Sequence, residues 1–227
     1  MNSSFFRAIQ LIVSGNSEVY FIAFTSLKFA FSSTVIATLI SLPLGMILAF
    51  KHFTGKAIVV VVLNSLMALP TVVIGLILYS LLSRSGPLGG FRLLFTPVAI
   101  VMGQSILALP IVASLVYSAF SGISKELPET LETLGARGFS RNLMIMRESG
   151  TAVLSAVLSG FGRVIGEVGV SMMLGGNIRW YTRTITTTIA LETSKGEFEL
   201  ALALGLILIA ISFLVNFSLH MGMRYAE

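Results

Sequence analysis

Two side chains of opposite charge, Arg163 and Glu167, stand four residues apart inside a run that is otherwise uncharged. On a helix this spacing places both on one face, where they can form an ion pair. Charged groups in an apolar segment are costly, and they face the interior of a helix bundle or a water-filled path. Two interpretations stay open: the pair lines a polar path, or it serves only helix packing. We favour a structural use of Glu167.

Glycines accompany this pair along the same run. Gly162 and Gly166 form a GxxxG pattern, and Gly169 extends the small face. Small residues at this spacing allow helices to approach closely. We therefore assign Gly166 and Gly169, like the charged pair, to the path or to helix packing.

A second polar cluster follows, in which Arg179 and Arg183 are again four residues apart and lie among several threonines. Guanidinium groups and hydroxyls suit a tetrahedral oxyanion. A glycine pair before them lets backbone N–H groups approach an anion or a neighbouring helix. Contact of the arginines with lipid headgroups or a docking protein is an equally open interpretation. The candidate oxyanion contacts at an outer mouth are Gly175, Gly176, Asn177, Arg179 and Arg183.

A polar, helix-prone segment interrupts the apolar runs at residues 125–148. Pro128 suits a first helical position, Gly135 is placed to end a short helix, and Ser140 to cap a second one. We expect two short helices that project from the apolar segments and offer anchors to a partner groove. A solvated helical loop with no partner is the alternative.

Composition places these clusters in a membrane protein. The 227 residues are 55% hydrophobic and only 11% charged, whereas soluble domains carry about 25% charged residues. The depletion falls in several long runs, which is typical of transmembrane helices. We predict an all-α integral membrane protein with about five transmembrane helices. We predict an interfacial segment at 1–20, a transmembrane domain at 21–220 and a tail at 221–227. Within the transmembrane domain the predicted loop is at 125–148, and the predicted spans are at about 21–50, 57–82, 96–122, 151–176 and 200–219.

Several kinds of site are excluded by what the sequence lacks. It contains no Cys, so it has no disulfide and no thiolate metal site. It also lacks HExxH, GxSxG and GxxxxGK[ST] patterns, so we expect no metal, no catalytic residue and no P-loop on this chain. The net charge of +5 is too small and too scattered to indicate nucleic acid. Counting basic residues in the loops gives seven against six and does not orient the spans.

The loop at 125–148 resembles the EAA loop of ABC-importer permeases. That pattern is Glu-Ala-Ala, x3, Gly, x9, Ile-x-Leu-Pro, and this chain keeps Glu129, Gly135 and Ile145 but neither the alanines nor the Leu-Pro. The resemblance implies a type I ABC permease fold, with this loop in the cytoplasm and the N-terminus outside. It also implies that the loop docks on a nucleotide-binding subunit. The implied docking residues are Glu129, Gly135, Ala136, Phe139 and Ile145.

The stretch Phe161-Gly162-Arg163-x-x-Gly166-Glu167-x-Gly169 and the following Gly175-Gly176-Asn177-Ile178 are similar to molybdate- and tungstate-type permeases. The continuation through residue 203 looks most like the tungstate branch. This resemblance implies ATP-driven import of a tetrahedral oxyanion, with tungstate first and molybdate or sulfate as the alternative. It also implies a homodimer, two ABC ATPase subunits that bind ATP-Mg, and an extracytoplasmic oxyanion-binding protein. The chain is then a multi-pass transport subunit in the cytoplasmic membrane of a bacterium or archaeon. An intramembrane enzyme and a passive channel are the interpretations from other classes.

Overall fold

The computed structural model describes residues 2–123, 130–131, 133–135 and 138–224, and all regular structure in these residues is helical. The helices are α1 Asn2–Val13, α2 Ser17–Phe50, α3 Lys56–Leu66, α4 Thr71–Leu82, α5 Pro97–Ser121, α6 Phe139–Glu148, α7 Gly150–Ile165, α8 Gly169–Gly175, α9 Ile185–Lys195 and α10 Phe198–Arg224.

Three helices of the described part are long and apolar enough to cross a membrane: α2, α5 and the Phe198–Ser218 portion of α10. Two bent pairs raise the number to five if each pair is one span. α3 and α4 meet at 98°, and α7 and α8 meet at 60°. About five spans are therefore confirmed, but residues 57–82 and 151–176, predicted as single spans, are each broken.

The residues at the breaks explain them. α4 begins directly after Pro70, which has no backbone N–H to continue the helix that precedes it. At the second break Gly166 closes α7, and the chain becomes helical again only at Gly169. Pro43, in contrast, lies inside α2, which continues to Phe50.

α5 lies at the centre of the bundle and packs against α2, α7 and α8. Glycines permit this closeness. A Cβ built on Gly45 of α2 would lie 2.5 Å from Val116 Cγ1, and one built on Gly103 of α5 would lie 2.6 Å from Leu174 Cδ1. Side chains do not pack at such distances, so these helices approach each other where glycine removes the obstacle.

A second core joins the first and last spans through α9. Ile22 of α2, Ile185 of α9 and Leu204 of α10 belong to one buried cluster. The polar residues between the fourth and fifth predicted spans include a regular helix, α9, which Thr184 caps. Thr186, Thr187 and Thr188 of this helix are buried, and each hydroxyl donates to a backbone carbonyl.

The end of the bundle that carries residues 50–56, 121–123 and 138–149 is called the loop end, and the other is the opposite end. At the loop end Gly135 has a φ of +84° after a helical turn, as its predicted role requires. α6 begins at Phe139 after Gly138 and has no side-chain cap, so the prediction that Ser140 caps it is wrong. Glu129 and Ala136 lie outside the described residues.

Ile145 of α6 is 1% exposed and packs with Val116 and Phe120 of α5. It therefore anchors α6 to the bundle. Leu134, in the turn before Gly135, is 77% exposed instead.

The predicted interfacial segment contains α1, and the first span begins within its last residues, at Ser17. α1 packs against α10, and Arg7 Nη1 donates to Glu199 Oε1 at 2.8 Å. This contact ties the first helix to the start of the last span.

Candidate functional site

Glu167 lies in the break between α7 and α8 and is 3% exposed. Its Oε2 accepts a hydrogen bond from Arg163 Nη1 at 3.0 Å, so the predicted ion pair forms. Its Oε1 accepts the backbone N–H of Val170, in the first turn of α8, at 3.2 Å. One carboxylate thus binds the arginine and also accepts a backbone N–H at the start of α8 that has no partner within that helix.

The two helix breaks meet at this carboxylate. A Cβ built on Gly169 would lie 3.2 Å from Thr71 Oγ1 of α4 and 3.4 Å from Glu167 Oε1. Thr71 is the first residue after the other break. Two spans therefore lose helical continuity side by side, which is the arrangement that membrane transport proteins use where a path crosses the bundle.

Buried hydrogen bonds fix the break from its other side. Thr186 Oγ1 of α9 donates to the backbone carbonyl of Glu167 at 2.7 Å. Gln104 of α5 donates to Ser171 Oγ at 3.1 Å and accepts from Ser33 Oγ at 3.2 Å. Because hydrocarbon offers no hydrogen bonds, such internal partners are what allow polar groups at this depth.

α7 presents an exposed face of a different kind from that of the long spans. Its exposed residues are Gly150, Ala152, Leu154, Ser159 and Gly162, of which only one is large. On α10, by comparison, Phe213 and Phe217 are 72% and 63% exposed, as suits lipid contact. Arg163 adds a charge to the α7 face, with 38% of its side chain exposed. A surface of mostly small residues with a partly exposed arginine indicates contact with water or with another chain.

A further polar contact joins α5 to α3. Ser114 of α5 donates to Asn64 Oδ1 of α3 at 2.6 Å, in an exposed hydrogen bond. α3 and α7 both pack on α5, so polar groups occur on both sides of the central helix.

At the opposite end, two arginines bind one carboxylate of this chain. Arg179 Nε and Nη2 donate to Glu18 Oε1 and Oε2 at 2.8 and 2.6 Å, and Arg183 Nη1 donates to Oε1 at 3.2 Å. The hydrogen bond to Glu18, followed by the attraction of its charge, raises the pKa of Arg179 above its ordinary value. An external oxyanion would therefore have to replace Glu18 at these donors.

The other three candidates at the outer mouth shape the turn that leads to the arginines. A Cβ on Gly175 would lie 2.5 Å from Ile100 Cδ1, and Gly176 closes α8 with a φ of +66°. Asn177 accepts a hydrogen bond from Thr187 Oγ1 at 2.9 Å and is itself left-handed, with a φ of +50°. In this structure all three are held by contacts within the chain.

Comparison with known proteins identifies the family of this helical bundle. The family described as the binding-protein-dependent transport system inner membrane component matches residues 41–221. The chain belongs to this family. It is therefore a multi-pass permease component of a membrane transport system that works with a binding protein.

The permease is similar to named relatives over nearly its whole length. It is 40% identical over 212 residues to the tungstate uptake system permease protein TupB of Peptoclostridium acidaminophilum, with 93% of each chain covered. It is 42% identical over 228 residues to the TupB of Campylobacter jejuni, with 95% of each covered. The molybdenum transport system permease protein ModB of Azotobacter vinelandii is 27% identical, with 88% of the permease and 92% of ModB covered.

A solved structure shows the same fold. An inward-facing MetNI methionine ABC transporter matches with a TM-score of 0.71 at 16% identity, covering 93% of the permease and 95% of that chain. The type I ABC permease fold that the EAA-like loop implied is thereby confirmed.

Sequence reasoning missed two participants in these sites. Glu18 follows Asn16, which caps α2 by accepting from the N–H groups of Glu18 and Val19, and it is the first carboxylate of the chain. That capping pattern was readable, but nothing in the spacing linked Glu18 to Arg179. Thr186 is one of several threonines in this part of the sequence, and only the folded structure shows that its hydroxyl donates to the carbonyl of Glu167.

Proposed function

We propose that the permease imports tungstate across the cytoplasmic membrane as the homodimeric subunit of an ATP-driven transporter. Support for this substrate comes from the two TupB relatives, which are 40% and 42% identical over nearly the full length. A tetrahedral oxyanion also suits a permease whose exposed polar face carries an arginine.

The observation that most supports a transport function is the exposed face of α7. Its exposed residues are mostly small, it bears Arg163, and it ends at the paired helix breaks. One copy of the chain leaves this face open. A second copy related by a two-fold axis would close it into a path, because the same surface serves both subunits of a symmetric dimer. Arg163, held by Glu167, then offers positive charge to a passing oxyanion.

In this proposal the loop end faces the cytoplasm and docks on an ABC ATPase subunit, one for each permease copy. Leu134 and Met144, 77% and 46% exposed, supply apolar contact surface, while Ile145 holds α6 in place from inside. Glu129, Ala136 and Phe139 belong to the same docking loop. ATP and Mg²⁺ bind the ATPase, and an extracytoplasmic binding protein delivers the anion to the opposite end.

Uptake measurements test the substrate. Cells that lack their own tungstate transport and express the permease with its partner subunits should accumulate tungsten from isotopically enriched tungstate, as counted by isotope-resolved mass spectrometry. Excess molybdate or sulfate should reduce this uptake less than excess unlabelled tungstate does. Uptake of molybdate or sulfate that tungstate does not inhibit would overturn the assignment and favour the corresponding permease.

Two separate glycine substitutions, one of them a control, test the coupling of the permease to the ATPase. Gly135→Ala forces a side chain into a left-handed backbone, which costs about 1–2 kcal/mol and should distort the docking turn. Gly122→Ala is the control, because Gly122 is right-handed, with a φ of −76°, and its added Cβ would lie no closer than 3.5 Å to neighbouring atoms. We expect Gly135→Ala to uncouple ATP hydrolysis from uptake and Gly122→Ala to preserve it. Anion flux that needs no ATP in either variant would instead indicate a passive channel.

A further inference from the structure

The carboxylate of Glu18 sits where an oxyanion would bind. Three N–H donors from Arg179 and Arg183 converge on its two oxygens, at 2.6–3.2 Å. Charge-assisted forks of this kind recognise carboxylates and tetrahedral oxyanions by the same geometry. The structure therefore shows an anion-binding fork that is occupied by a group of the chain itself.

The fork keeps its shape through contacts that do not involve Glu18. Arg179 lies over the Trp180 ring at 5.7 Å, and Trp180 meets Phe21 of α2 edge-on at 5.1 Å. The Arg183 side chain is only 13% exposed. These contacts favour an arrangement that persists when the carboxylate leaves, since a preorganised site binds with a smaller loss of side-chain freedom.

The fork also has a donor that Glu18 does not use. Arg183 Nε is buried and has no hydrogen-bond partner among the described residues. A carboxylate offers two oxygens, whereas a tetrahedral oxyanion offers four. The side chain of Arg179 is 60% exposed, so the fork can be reached from solution at the opposite end.

We propose that Arg179 and Arg183 form an entry site for the tetrahedral oxyanion, and that Glu18 is a built-in competitor which the arriving anion displaces. This deepens the proposed function and rests on it for the identity of the anion. A divalent oxyanion outcompetes a singly charged carboxylate for two guanidinium groups, and Glu18 returns when the anion moves on. The apparent affinity is then the intrinsic affinity multiplied by the fraction of time that Glu18 leaves the fork free, which keeps the site weak enough to release its ligand.

Removing the competitor tests the proposal. Glu18→Gln is compared with Glu199→Gln, because both carboxylates lie in the first turn of a helix and each pairs with an arginine. The full chain in lipid nanodiscs, without binding protein or ATP, is equilibrated with sodium tungstate, and bound tungsten is counted by mass spectrometry. If Glu18 fills the fork about nine-tenths of the time, Glu18→Gln binds tungstate about tenfold more tightly than the natural chain.

The control Glu199→Gln should bind as the natural chain does, and adding Arg179→Gln to Glu18→Gln should abolish the gain. The inference is overturned if Glu18→Gln shows no gain or if the double variant retains it. Uptake of tungstate by cells is measured separately, so this inference can fail while the transport function stands.

The natural chain provides a second measurement that needs no variant. Trp180 is the only tryptophan in the sequence and stacks on Arg179, so its fluorescence reports on the fork. Sodium tungstate should change this fluorescence saturably, while sodium chloride at equal ionic strength should not. A titration without a tungstate-specific change would overturn the proposal even if Glu18→Gln failed to fold.

Discussion

Glu167 performs two tasks that substitution can separate. Glu167→Ala removes the acceptor for the Val170 N–H and the partner of Arg163 together. Losing a helix cap costs about 1 kcal/mol, and a hydrogen bond to a charged group contributes about 1.5–3 kcal/mol. Because Arg163 is 38% exposed and regains water, the lower half of that range applies. The expected loss of stability is therefore about 2.5–3 kcal/mol for Glu167→Ala.

Glu167→Gln keeps an oxygen for the Val170 N–H and removes only the charge. Its expected loss is about 1 kcal/mol, from the weaker bond to Arg163. Glu197→Ala is the control, because this carboxylate is exposed and makes no side-chain hydrogen bond or ion pair within the described part of the chain. Its effect should stay below about 0.5 kcal/mol.

Thermal unfolding in lipid nanodiscs measures the series. For a chain of this size each kcal/mol shifts the midpoint by about 2–4 °C, so the midpoint should fall by about 5–12 °C for Glu167→Ala and by about 2–4 °C for Glu167→Gln. If Gln and Ala are equally damaging, the cap contributes nothing and the carboxylate acts only through Arg163. If both match Glu197→Ala, the whole account of the break is wrong.

Two further substitutions have matched controls. Ser26→Ala should destabilise the permease by about 1–3 kcal/mol, because the buried N–H of Ile185 donates to Ser26 Oγ at 2.7 Å. The control Ser212→Ala should cost under about 0.5 kcal/mol, because that hydroxyl bonds only within α10. Equal unfolding midpoints of the two variants in a thermal scan would contradict this prediction. Gly89→Ala should lower the yield of folded protein on size exclusion, because its Cβ would lie 2.8 Å from the Arg84 carbonyl oxygen. The control Gly90→Ala has open space around its Cβ and should behave as the natural chain. A well-folded Gly89→Ala would show that the loop backbone moves to accommodate the methyl group.

The spans were predictable because each is a long apolar run, but the breaks inside two of them were not. Pro70 marks a place where a helix loses a hydrogen bond, and Pro43 does the same, yet only the first ends a helix. Whether a chain continues through a proline depends on the partners that satisfy the freed groups. Those partners come from other helices and leave no local pattern.

The candidate sites were likewise predictable only where the interacting residues are close together in sequence. The pair of Arg163 and Glu167 followed from spacing alone, since both ends belong to one short segment. α9 was hidden because its threonines are not apolar, and their burial depends on hydrogen bonds that only the fold provides. The partner of Arg179 was hidden for a simpler reason: Glu18 is far away in sequence.

That separation has a consequence for how the permease is made. Glu18 and Arg179 are 161 residues apart, and Ser26 and Ile185 are 159 apart. At about 5–20 residues per second, a ribosome needs about 8–32 s to cover that distance. During this interval α2 has a carboxylate in its first turn and a hydroxyl further along that lack their final partners. The contacts at this end of the first span are thus completed only late in synthesis.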